Sequence, residues 1–247
     1  MTPKTDDTQQ HVKWKYVILF VLIAFVISAP VNLGWLSDKL DNFTLPFGLD
    51  RFKILLQGLG PFIAGIVLRK MDSNGIDSTP KGKYKSTGWI MIGISILLLA
   101  VIGNPNDKGI NAHYWGALTA LIVIIHAYFE ETGWRGYLEH ALQSLSEGIR
   151  VLLISVIWYL WHLSFLSNNS ILAELLFFAI LLLGTWLLGR LFKQTKSILI
   201  VAAFHSIFNL MQWWNLALTP KIIWLSVLVL VWILFMTFQK KHHKIDE

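Results

Sequence analysis

Apolar residues in this chain come in unbroken runs rather than in alternation. Eight runs stand out, over residues 16–35, 52–68, 88–103, 114–129, 151–166, 171–188, 197–214 and 222–238. Continuous stretches of this kind predict membrane-spanning helices, because in hydrocarbon each backbone N–H and C=O has to be satisfied within its own helix. Strands of a membrane barrel would alternate with a period of two. Several runs are shorter than the roughly 20 residues of a full span, so those helices are expected to extend into flanking polar residues or to be shielded by neighbours. The first run follows a polar tail of fifteen residues and has no small-residue cleavage site after it, so it reads as a retained span. The expected architecture is all-α: a polytopic transmembrane helical bundle of about eight spans, with a tail over 1–15, one bundle over 16–238 and a basic tail over 239–247.

Composition sharpens this picture. Of 247 residues 55% are apolar and 15% charged, and the mean hydropathy is +0.56; an ordinary soluble domain is about 25% charged. The chain has no cysteine, which excludes thiol catalysis, disulfides, thiolate metal sites and lipidation through sulfur. The net charge of +6 is unevenly placed. With the N-terminus inside and eight spans, 16 of the 21 Lys and Arg fall in cytoplasmic segments, leaving Lys39, Arg51, Lys53, Lys108 and Lys221 outside. The positive-inside rule then predicts that both termini are cytoplasmic. The dense basic cluster at 240–244 abuts a span, so its expected partner is the lipid bilayer and not nucleic acid. The longest hydrophilic segment, 71–87, is a Gly-, Ser- and Lys-rich loop, and no repeat or second domain is visible. The expected location is a cell membrane, read as a bacterial plasma membrane.

Polar groups at membrane depth carry the chemistry. All nine Asp lie in tails and loops and no HExxH occurs, so aspartyl intramembrane proteolysis and zinc chemistry on that helical motif have no support. Glu130, Glu131 and Arg135 lie at the end of the fourth run, His162 in the fifth, and His205 and Asn209 in the seventh. Ionisable groups inside a bilayer are costly and face cavities or partners. Glu131 and Arg135 are four apart and share a helix face, which predicts a neutralising pair and leaves Glu130 as the free carboxylate. His205 with Asn209, and Trp158 with His162, have the same spacing. At about 1.5 Å per residue, Glu130 lies level with the two histidines only if the fourth helix runs on through Arg135 to about His140. His126, one turn before Glu130, reads as packing, with support of that carboxylate as the alternative; Ser95, Ser155, Ser164 and Ser206 read as bonded to their own helices.

Together, Glu130-Glu131-x-x-x-Arg135, Trp158-x-x-x-His162 and His205-x-x-x-Asn209, on separate apolar helices in this order, resemble the CPBP or Abi family of intramembrane proteases, which includes the type II CAAX prenyl endopeptidases and bacteriocin-processing or self-immunity proteins. The resemblance covers about 130–209, within a core of about 114–214, with Gly60-Pro61 as a fainter echo. Trp158 stands where the family commonly has Phe. The resemblance implies an intramembrane endopeptidase in which Glu130 activates water, His162 holds it, His205 and Asn209 form the oxyanion hole, and Glu131 matters for activity; Arg135 and Trp158 support the site. The expected substrate is a membrane-associated or lipidated peptide or protein, in bacteriocin maturation or self-immunity. No cofactor is favoured; zinc held by Glu130, His162 and His205 is the competing account. A non-catalytic immunity or scaffold protein and a proton-coupled transporter are the alternatives from other classes.

Overall fold

The computed structural model describes residues 11–36, 53–72, 82, 84, 86–167 and 169–243, with side chains through 238. Most of the loop at 71–87, the first ten residues of the N-terminal tail, and Lys244 of the basic cluster lie outside the described residues. Among those described, each apolar run corresponds to a helix: α1 (Trp14–Asn32), α2 (Lys53–Met71), α3 (Thr87–Ile102), α4 (Ala112–Ala141), α5 (Glu147–His162), α6 (Ile171–Thr195), α7 (Ile198–Trp213) and α8 (Leu218–His243). Five of them, α1, α2, α4, α6 and α8, are long and apolar enough to cross a membrane, whereas α3, α5 and α7 have only 16 residues each. The protein is thus an all-α, polytopic membrane bundle, with three helices too short to count as full spans by length alone.

The ends of the helices follow from local chemistry. The Asn111 side chain accepts the N–H groups of His113 and Tyr114 and so starts α4; Ser170 starts α6 in the same way by accepting from Ala173. Two non-glycine residues in the left-handed region stop helices abruptly, Leu163 (φ 55°) after His162 and Lys196 (φ 53°) after α6. The turn after α5 is tied to α6 by Glu174, which accepts from Tyr159 Oη, Ser164 Oγ and Asn169 Nδ2. Ser164 therefore bonds across elements and not within its own helix, while Ser95, Ser155 and Ser206 do bond to carbonyls of their own helices.

The central helix α4 packs against α2, α3 and α7, and α2 also packs along α1. Close approach is built from small residues. A Cβ added at Gly60 would lie 2.2 Å from Ser28 Oγ, and one at Gly133 would lie 2.4 Å from the carbonyl oxygen of Pro61, so α1, α2 and α4 meet nearly backbone to backbone. Pro61, inside α2, has no N–H for the carbonyl of Gln57. Ser28 of α1 supplies the missing donor, its Oγ donating to that carbonyl at 2.6 Å. Apolar side chains fill the rest: Phe20 lies edge-on to Trp134 and stacks on Tyr137, both at 5.5 Å between ring centres. Outward, α6 and α8 expose Leu172, Leu175, Leu183, Leu230 and Leu234, the surface expected where the surroundings are lipid.

Candidate active site

α4 does not end at Phe129. It continues as an α-helix to Gly133, widens into a π-helical turn over Trp134–Leu138 and closes with Glu139–Ala141. At the junction the Trp134 N–H reaches the carbonyls of both Glu130 and Glu131. π-helical turns are frequent at functional sites, and this one keeps the whole stretch from Glu130 to Leu138 buried.

The two adjacent glutamates face different surroundings. Glu131 and Arg135 are completely buried, with Arg135 Nη1 donating to Glu131 Oε1 at 3.0 Å. The same oxygen is 2.7 Å from His205 Nδ1 of α7. The Arg135 guanidinium also lies 4.9 Å from the centre of the Trp158 ring, so its charge is met by a carboxylate and an aromatic face. Glu130 was expected to be free, and it is not. Its Oε1 lies 2.8 Å from His126 Nε2, and its Oε2 accepts from Trp158 Nε1 at 2.9 Å and from Trp134 Nε1 at 3.3 Å. An ionised carboxylate in this setting needs several donors to replace lost hydration, and these three supply them.

Glu130, His162, His205 and Asn209 all line one cavity of about 450 Å³ between α2, α4, α5, α6 and α7. His126 and Trp158 line it too, and its apolar wall includes Ile54, Phe177 and Phe208. The ring of His162 is held because its Nδ1 lies 2.8 Å from the Trp158 carbonyl. A carbonyl only accepts, so Nδ1 carries the hydrogen and a neutral His162 keeps its lone pair on Nε2. The Nδ2 of Asn209 is buried without a partner among the described residues. Such an orphaned donor beside a cavity suits an incoming oxygen.

Glu131 and Arg135 do not line the cavity; they stand behind it. Trp158, expected to support the site, reaches Glu130 with its indole N–H, which a Phe at this position could not do. Sequence reasoning passed over Trp134, and it favoured packing for His126. Both lie four positions from Glu130, and that spacing was the available signal.

Comparison with known proteins covers this same stretch. Residues 112–211 match the family model described as type II CAAX prenyl endopeptidase Rce1-like. A curated relative, CAAX prenyl protease 2 of Methanococcus maripaludis, is 34% identical over 134 residues, which is 49% of this chain and 49% of the relative. The match thus spans about half the relative's length, and the relative is archaeal. No solved structure matches the chain. The segment that holds Glu130, His162, His205 and Asn209 is therefore homologous to the Rce1-like CAAX proteases, over part of the chain and not its whole length.

Proposed function

We propose that the protein is an intramembrane endopeptidase that hydrolyses a peptide bond of a membrane-associated substrate with water activated by Glu130. The observation that carries this reading is the meeting of one buried carboxylate, several imidazoles and an orphaned amide N–H around a single cavity. In the proposed reaction a water in the cavity loses one proton to Glu130 while its other O–H donates a hydrogen bond to the lone pair on His162 Nε2, and its oxygen attacks the scissile carbonyl. Asn209 Nδ2–H donates to the oxyanion, joined by Nε2–H of His205 as the imidazolium, whose Nδ1–H is held from behind by Glu131. Glu130 then returns its proton to the leaving amine.

The bonding of Glu130 supports a base more than a metal ligand, since N–H donors approach both of its oxygens. We therefore propose a metal-free site. Eight helices matching eight runs, and the inward bias of Lys and Arg, support eight crossings with both termini cytoplasmic, α3, α5 and α7 being shielded by their neighbours. The relative's name, CAAX prenyl protease 2, supports a lipidated peptide as substrate; a bacteriocin precursor or another peptide in a self-immunity role is the second substrate class. Mass spectrometry of membrane peptides from strains carrying wild-type protein, Glu130→Gln or His162→Ala distinguishes them. The expected result is a defined peptide, with its modification, accumulating in both mutant strains with the protein present at normal level. Equal peptide profiles and an unchanged phenotype would instead identify a non-catalytic scaffold.

A further inference from the structure

The surroundings of Glu130 define more than its burial. A carboxylate offers four acceptor positions, two on each oxygen. Indole N–H groups can only donate, and two of them, from Trp158 and Trp134, point at Oε2. On Oε1 one position meets His126 Nε2 at 2.8 Å. That leaves a single lone pair, on Oε1, for the proton of a reacting water.

His126 itself is held in one protonation pattern by its position. Its Nδ1 is buried and has no partner among the described residues. The backbone of α2 closes over it, since a Cβ at Gly58 would lie 3.0 Å from that nitrogen. A hydrogen on Nδ1 would be an unsatisfied buried donor, whereas a hydrogen on Nε2 meets a carboxylate. The titratable side chains that face it across the cavity are Glu130 on its own helix, His162 on α5 and His205 on α7, while α2 presents the neutral Gln57.

We propose that His126 is a positioning residue for Glu130: as the neutral Nε2–H tautomer it fills one acceptor position on Oε1, and with the two indoles opposite it fixes the direction from which Glu130 takes a proton. This rests on Glu130 as the base, but its structural half can be measured separately. The test uses the full chain in lipid nanodiscs. Histidine ¹⁵N spectra, with the His126 signals assigned by their loss in His126→Gln, are expected to show a protonated Nε2 and an unprotonated Nδ1. The infrared carboxylate band of Glu130, isolated by subtracting Glu130→Gln, is expected to move in His126→Phe and to return toward its wild-type position in His126→Gln, whose amide supplies a donor. On the peptide that accumulates in the Glu130→Gln strain, His126→Phe is expected to lose about 100-fold in kcat, the scale of a misplaced reacting group, with KM within about twofold and part of kcat recovered by Gln. A hydrogen found on Nδ1, or a Glu130 band unmoved by His126→Phe, overturns the proposal. Equal losses from Phe and Gln that follow loss of thermal stability also overturn it, reducing His126 to packing. Should Glu130→Gln remain active, the proteolytic reading fails, while the two spectra still decide how His126 and Glu130 are bonded.

Discussion

Glu130 and Glu131 are neighbours in sequence, yet they sit in regions of opposite character. Glu130 faces the cavity, and the groups around it, His126, Trp134 and Trp158, are donors with no formal charge when the imidazole is neutral. Glu131 is sealed from the cavity and shares one oxygen between a guanidinium and His205. One helical step, about 100° of rotation, separates a carboxylate open to a ligand from one that belongs to the interior. The difference teaches that burial and charge alone do not set the proposed base apart from its neighbour. What marks it is access to a cavity together with partners that leave an acceptor position open.

Substitutions can break this contrast. The largest effect is expected for Glu130→Gln, which keeps shape and removes the proposed base: a fall in turnover of about 10²–10⁴-fold with thermal stability close to wild type. A large stability loss there would show that Glu130 is structural as well. On the other side, Arg135→Gln leaves Glu131 as an inadequately paired buried charge and is expected to cost about 3–5 kcal/mol of stability, measured by unfolding in detergent; a stable Arg135→Gln protein with lost activity would erase the division between the two glutamates. Asn209→Ala removes a donor that has no partner among the described residues, so about 10²-fold in kcat is expected with unchanged melting. The smallest effect is expected from a chelator: turnover unchanged after dialysis against EDTA, with no stoichiometric zinc in the purified protein. Loss of activity restored by zinc would turn the Glu130 side into a metal site.

Much of this was legible in the sequence, for physical reasons. The apolar runs located the helices because hydrocarbon forces backbone pairing within each segment, and the need to bring Glu130 level with His162 and His205 predicted that α4 continues past Arg135. The π-helical turn was not legible, since it is a change of backbone register with no composition of its own. The partners of Glu130 were missed for two reasons. The spacing of Trp158 pairs it with His162 and says nothing of where its N–H points, and a single histidine on an apolar face, as His126 is, is usually packed. The short lengths of α3, α5 and α7 could not be read from the runs, since the fourth run has 16 residues and belongs to the 30-residue α4, whereas the seventh has 18 and belongs to the 16-residue α7.

The handover at Pro61 has a mechanical consequence. Because a rung of α2 is completed by the Ser28 hydroxyl of α1, sliding one helix along the other would break that bond and leave the Gln57 carbonyl without its donor. The Lys13–Asp72 ion pair, 2.8 Å long, pins the far ends of the same two helices. The first hairpin is therefore latched at two heights, and the wall that α2 gives to the chamber is a fixed jaw.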